Sequence, residues 1–181
     1  AMSGCGAYAK VEGFAFLPIT SFTSAITTFV GQNLGAEEFD RAKKGARFGI
    51  LCSLLIAEGI GVITHVFSPV FIGAFCDSQE AIAFGVDKAH ICALFFCLLA
   101  ATHCLSAVLR GAGRAMVPMV VMLSVWCVLR VSILWIAVPI TQSINTVNWV
   151  YPITWSISTV VLLIYYHKSD WLHSFQREKA K

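Results

Sequence analysis

Three ionisable residues stand inside stretches that are otherwise apolar: Glu12, Glu58 and Arg130. Glu58 is flanked by Ile56, Ala57, Ile60 and Val62. A charge in such a setting is costly unless it faces protein or water, meets a partner, or, for an acid, takes up a proton. Glu58 is therefore open to three readings: a structural polar contact, a site for a coupling proton or cation, or a counter-charge for a substrate. Arg130, on the helical rise, sits within about 5 Å of the height of Glu58 and could reach it through its long stem. Glu12 is expected about one turn from a helix end, where it can snorkel to water or pair with Lys10. A second set is made of hydroxyls. Thr20, Thr23, Ser24 and Thr27 recur at helical spacing and keep mostly to one face, which is either a small-residue packing surface or a wall of a hydrated pathway.

Catalysis finds no comparable support. No nucleophile–base pair emerges, and His65, His90, His103, His167 and His173 lack the spacing of a metal site. Gly111-x-Gly113 follows a helical pattern rather than a strand, so it is no dinucleotide loop. The seven cysteines contain no Cys-x-x-Cys pair, and most fall in apolar stretches where a thiol acts as a small hydrophobe. We expect no catalytic or metal-ligating residue and no cofactor.

The elements that carry these residues read as membrane spans. Hydrophobic residues make up 57% of the chain and charged ones 13%, with a mean hydropathy of +0.76. A soluble domain needs roughly twice that share of charge. The net charge of +3 is too small to imply a nucleic-acid partner and is gathered in loops. The expected fold is all-α, a polytopic transmembrane bundle of about five helices over residues 1–166, followed by a polar tail, 167–181. The spans are placed at about 11–33, 47–67, 89–109, 116–138 and 147–166, each close to the roughly 20 residues a bilayer requires. Pro18 should kink the first, Pro69 should stop the second, and Pro139 should end the fourth. Phe67 to Phe75 is placed at the interface, before a polar turn of Asp77, Ser78, Gln79 and Glu80. Asp87 and Lys88 mark the entrance of the third span. Trp149, Tyr151 and Trp155 are expected to form an interfacial girdle, with Tyr165 and Tyr166 at the other face.

The break between the first two spans is the most polar in the first half: Gln32-Asn33-Leu34-Gly35-Ala36-Glu37-Glu38, then Asp40, Arg41, Lys43 and Lys44. Gly35 is expected to supply the left-handed residue that ends the first helix, with the Gln32 and Asn33 side chains bonding nearby carbonyls. Arg41, Lys43, Lys44, Arg47, Arg110, Arg114, Lys168, Arg177, Lys179 and Lys181 then fall on one side, against Lys10 and Lys88 on the other. This bias places the C-terminus in the cytoplasm. The chain opens without a basic leader and runs straight into helical sequence, so a preceding helix is expected.

Phe16-Leu17-Pro18, Thr28-Phe29-Val30-Gly31-Gln32-Asn33-Leu34-Gly35-Ala36 and Arg41-Ala42 resemble the second-half signature of the multidrug and toxic compound extrusion (MATE) family. Leu109-Arg110-Gly111-Ala112-Gly113 followed by Pro118 is similar to its second cytoplasmic turn, and Phe75-x-Asp77-x-x-Glu80 to an external turn. The resemblance implies twelve helices in two six-helix bundles, of which this chain matches helices eight to twelve. It also implies a plasma-membrane antiporter that exports organic cations or amphipathic drugs in exchange for Na+ or H+. Its partners would be membrane lipids, the drug substrate, the coupling ion and the missing N-terminal half, and the chain alone should be inactive. Some relatives carry an acid where this sequence has Phe95-Phe96-Cys97-Leu98-Leu99, so their ion site does not transfer, and the candidates for a coupling acid are Glu12, Glu58 or residues of the missing half. A related lipid-linked oligosaccharide flippase and a non-transporting membrane scaffold subunit are the alternatives. A flippase should offer several intramembrane basic residues, and only Arg130 is expected at that depth.

The charge bias yields a direct test. A single added cysteine, Ser174→Cys, should react with a membrane-impermeant maleimide only when the cytoplasmic face is exposed. Labelling from outside intact cells would reverse the topology.

Overall fold

The computed structural model describes residues 2–76 and 78–173. Asp77 of the expected outer turn, and residues 174–181 with Arg177, Lys179 and Lys181, lie outside them. The regular elements described are all helical. α1 spans Met2–Gly35 and α2 Phe39–Gly73. α3, Gln79–Cys92, and α4, Phe96–Gly111, form a third stretch interrupted by a tight 3-10 turn at Ala93–Phe95. α5, Met116–Met122, and α6, Arg130–Thr141, form a fourth, joined by a wide π turn at Leu123–Leu129. α7 spans Ile144–Lys168. Five stretches are long and apolar enough to cross a membrane: Ser3–Gly35, Phe39–Gly73, Gln79–Gly111, Met116–Thr141 and Ile144–Lys168.

The helices outrun the expected spans, and the prolines explain much of the difference. α2 continues through Pro69 to Gly73, and α6 through Pro139 to Thr141, so neither proline ends its helix. A proline removes the N–H that would bond the carbonyl four residues back. For Pro69 that carbonyl belongs to His65, and the Ser68 hydroxyl donates to it at 3.1 Å. For Pro152 it belongs to Asn148, and the Cys92 thiol donates to it at 3.7 Å. With the orphan carbonyl satisfied, the helix passes through. At the other termini α1 begins at Met2 rather than near Val11, and α3 at Gln79 rather than near Ala89. Lys88 is consequently no entrance residue: it is 7% exposed, inside the bundle.

The two turns at the basic end use the same device. After α1, the Glu38 N–H bonds the Asn33 carbonyl at 2.8 Å and the Glu37 N–H bonds Leu34 at 3.2 Å. After α4, the Arg114 N–H bonds Leu109 at 2.8 Å and the Gly113 N–H bonds Arg110 at 3.0 Å. Both are Schellman closures, which need one residue in the left-handed region. Gly113 fills it at φ 78°, but in the first turn it is Glu37, at φ 62°, not Gly35. The Asn33 amide does bond a late carbonyl, that of Phe29, at 2.7 Å. Behind these turns α1 and α4 lie almost backbone to backbone. The Thr27 hydroxyl reaches the Ala107 carbonyl at 3.2 Å, and a Cβ on Gly111 would stand 2.6 Å from the Thr27 carbonyl oxygen.

The core divides by depth. Tyr8, Val11, Ala15, Ile72, Ala89, Cys92 and Phe96 fill the half away from the basic end, and Ile26, Val30, Leu34, Ala46, Leu105, Val108, Leu109 and Leu162 fill the other. α3 and α4 form the central post, contributing buried residues to both halves. α6 has no buried residue, and Trp135 and Ile140 are 80% and 77% exposed, as suits a lipid-facing helix. Below α7 the chain folds back: Trp171 is buried and stacks on Tyr166 at 5.3 Å, while Arg114 donates to the Tyr165 hydroxyl at 3.0 Å and the Asp170 carbonyl at 3.4 Å. Residues 169–173 therefore belong to the packed structure rather than to a loose tail.

A β-carbon in the left-handed region carries a steric cost of about 1–2 kcal/mol that glycine lacks. Glu37→Gly should therefore stabilise the chain by about 1 kcal/mol, measured as a higher midpoint of thermal unfolding in detergent. A lower midpoint would mean that the Glu37 side chain supports the turn.

Candidate functional site

Two interruptions, the 3-10 turn and the π turn, break the helices, and a helix that leaves its regular hydrogen bonding inside a membrane must be held by something else. At the 3-10 turn the freed N–H of Cys97 donates to Oε2 of Glu58 at 3.3 Å. Glu58 is thus the cap of a half-helix, and its carboxylate comes from α2. The salt bridge to Arg130 that the sequence allowed is not formed, since no ion pair joins the two among the described residues.

Arg130 follows the π turn directly. Such turns widen the helix by one residue and re-aim the side chains beside them. Here Trp126 and Arg130 both face a chamber of about 470 Å3, also lined by Glu12, Phe16, His103, Tyr151 and Trp155. The guanidinium donates through Nε at 3.2 Å and Nη2 at 2.6 Å to the Thr154 hydroxyl. It lies over the Tyr151 ring at 4.6 Å and the Trp126 ring at 5.3 Å. Lys88 shares Tyr151: its Nζ is 4.4 Å from that ring and 5.2 Å from the ring of Tyr8. Cation–π contacts of this kind hold a charge without neutralising it.

Glu12 completes the group. Lys88 and Arg130 are the cations in electrostatic range of its carboxylate, yet neither is in ion-pair contact with it. Lys10, the expected partner, turns away over the Phe75 ring at 5.3 Å. The earlier start of α1 also moves Glu12 inward. Counted along their helices from the end opposite the basic turns, Glu12, Lys88 and Arg130 lie about 15, 13 and 16 Å from that end at 1.5 Å per residue. Glu12 and Arg130 both line the chamber, and Lys88 lies buried beside it against the rings of Tyr8 and Tyr151.

The hydroxyl series is mostly self-satisfied. Thr20 bonds the Leu17 carbonyl, Thr23 and Ser24 that of Thr20, and Thr27 that of Thr23, and only Thr27 also crosses to another helix. A polar seam that sequence reasoning missed runs instead between α4 and α7. Thr102 lies 3.1 Å from Ser158 and 2.8 Å from Thr159, and Trp126 Nε1 donates to Ser158 at 3.3 Å. Tyr151 and Trp155 were expected at an interface but line the chamber, with Trp155 only 2% exposed. The motif residues Gln32, Asn33, Gly35, Arg41, Arg110, Gly111 and Gly113 lie at or beside the basic turns, and none lines the chamber. All seven cysteines are free, and no group of three potential metal ligands occurs among the described residues.

A multi-pass helical bundle with ionisable side chains facing a chamber between its membrane-spanning helices is the architecture of a membrane-embedded transport protein. Residues 1–136 match the MatE family, and the chain belongs to it. It is 26% identical over 168 residues to the probable multidrug resistance protein YoeA of Bacillus subtilis (strain 168), covering 92% of this chain and 36% of that protein. It is 30% identical over 132 residues to the probable multidrug resistance protein NorM of Thermotoga maritima, covering 69% and 28%. In structure it resembles the MATE transporter ClbM in complex with Rb+, with a TM-score of 0.84 at 17% identity, over 98% of this chain and 42% of that one. An inward-facing MATE transporter of the MOP superfamily gives 0.79 at 15% identity, over 88% and 37%. The fold is thus part of a MATE-like bundle, and the chain spans well under half the length of these relatives. Members of the family are transporters, not enzymes.

If Glu58 acts as a cap, its acceptor oxygen matters more than its charge. Glu58→Ala should cost about 1 kcal/mol, as cap removals do, and Glu58→Gln much less. Equilibrium unfolding in mixed micelles measures both. Equal losses would assign the effect to the charge.

Proposed function

We propose that this chain is the C-terminal half of a secondary active antiporter that exports organic cations or amphipathic drugs in exchange for Na+ or H+. It lies in the plasma membrane with its basic end in the cytoplasm, among anionic lipids that favour Lys and Arg there. The observation that carries the reading is the chamber: Glu12 and Arg130 face it beside the aromatic faces of Phe16, Trp126, Tyr151 and Trp155. Ionisable residues held inside membrane spans mark pathways, and flat aromatic walls suit amphipathic cargo. Membership of the MatE family and similarity to proteins described as multidrug resistance proteins support the same direction. A chamber needs a gate on each side, and one partial bundle offers a single wall, so the missing N-terminal half is a required partner. Glu12 and Arg130 are assigned to the pathway. Glu58 is assigned to positioning, because its carboxylate is occupied by the Cys97 N–H.

Gly13 lines the chamber and has open space where a side chain would project. In a transporter built with this half, Gly13→Trp should fill the chamber and abolish energised efflux of ethidium at normal expression. Residues 1–181 expressed alone should give no efflux. Undiminished efflux by the filled variant would remove the chamber from the pathway, and efflux by the chain alone would refute the need for a second half.

A further inference from the structure

α1 faces two cavities. Glu12, Gly13 and Phe16 line the chamber, whereas Val11, Phe14 and Ala15 line a groove of about 370 Å3 between α1 and α2. At 3.6 residues per turn these two sets fall on opposite faces of the helix. Ile60, Ile63, Phe71 and Phe75 form most of the other wall, so the groove is almost wholly apolar. From Ile60 to Gly73, the end of α2, it runs about 20 Å at 1.5 Å per residue. That is enough to cross one leaflet, roughly half of a 30 Å hydrocarbon core. A helix about 10 Å across would fill several times the volume of this groove over the same length, so the groove suits a single flexible chain.

A cation stands at its mouth. A shallower hollow lined by Lys10, Gly13 and Leu17 joins the groove through Phe14 and Phe75, which line both. The Lys10 ammonium lies 5.3 Å over the ring of Phe75, just past the end of α2 and therefore at the end of the groove away from Ile60. Lys10 is exposed and makes no ion pair among the described residues. An ammonium carries three N–H donors, and a ring contact leaves them available to an anion.

We propose that this groove binds an anionic phospholipid, with one acyl chain between α1 and α2 and the phosphate on Lys10. Inside a bilayer a chain gains no hydrophobic driving force by leaving other chains for protein, so the groove supplies contact and the lysine supplies selectivity. The groove shares no lining residue with the chamber, and lipid binding there is independent of cargo export.

The test is photolabelling of the complete 181-residue chain in mixed micelles with phosphatidylglycerol that carries a diazirine on one acyl chain. Adducts mapped by mass spectrometry should fall on Phe14, Ile63 and Phe71 and should fade as unlabelled phosphatidylglycerol is added. Adducts on α6, which has no buried residue, should not saturate and report the surrounding lipid. Phosphatidylcholine should displace the groove adducts only at about fivefold higher concentration, the weight of one lysine against an anionic lipid. Lys10→Gln should erase that difference, and Lys10→Arg should preserve it. Groove adducts that do not saturate, equal displacement by the two lipids, or a preference that survives Lys10→Gln would overturn the site. Absence of groove adducts would also overturn it, and would give the groove to a second copy if the chain is then a dimer. Repeated in a transporter built with this half, loss of the groove adducts would assign the groove to the rest of that protein instead.

Discussion

No water is available in hydrocarbon to bond a backbone group, so every interruption of a helix there needs a substitute donor or acceptor. The architecture turns on how this chain meets that demand. The carbonyl freed by Pro69 takes a hydroxyl from the preceding residue, and the one freed by Pro152 takes a thiol from another helix. The N–H exposed at the 3-10 turn takes a carboxylate from α2. At Pro69 the substitute comes from the same helix, whereas at Pro152 and at the 3-10 turn it comes from another, so at those two places the break in regular structure also joins two elements. The π turn does the complementary task. By loosening the fourth stretch for two turns it brings Trp126 and Arg130 onto the wall that faces α7, where both find hydroxyls.

Charge is placed under the same constraint but resolved differently. Arg130 and Lys88 are held by rings and a hydroxyl, and Glu12 stands near both without touching either. A closed ion pair would have been the simpler way to bury them. Keeping them apart beside the cavity that Glu12 and Arg130 line sustains a local field that a paired arrangement would extinguish. The cost falls on the folded state, and the surrounding aromatic contacts offset part of it.

Much of this was legible in the sequence, and the parts that were not have physical reasons. Five spans, an all-α bundle and the basic turns follow from hydropathy and from the clustering of Lys and Arg, which need no knowledge of packing. Helix ends were misjudged because a proline reads as a stop unless its orphan carbonyl finds a donor, and that donor is often on another helix. The misplacement propagated: starting the third span at Ala89 left Lys88 outside, and starting the first at Val11 left Glu12 near the surface. With both read as peripheral, the chamber could not be assembled from residues. An apolar window opened from Gln79 would have shown a lysine at membrane depth and flagged it. Tyr151 and Trp155 were assigned to a girdle because aromatic residues near a span end fit both a lipid interface and an internal wall, and hydropathy does not separate them. The π turn has no signal in a single sequence, since its residues, Leu123 to Leu129, are ordinary helix formers in an apolar run.

The fourth stretch deserves a mechanical view. α6 has no buried residue, and beyond packing along α7 the fourth stretch is tied to it by the Arg130–Thr154, Trp126–Ser158 and Thr141–Thr146 hydrogen bonds. The first two are made by side chains that also form the chamber wall. The helix is therefore clamped in part by groups that face the chamber. Any occupant that pulls the guanidinium away from Thr154 loosens the clamp, and any departure restores it. Occupancy of the cavity and stiffness of the outermost helix become one variable, so filling the chamber is itself a force on the lipid-facing surface.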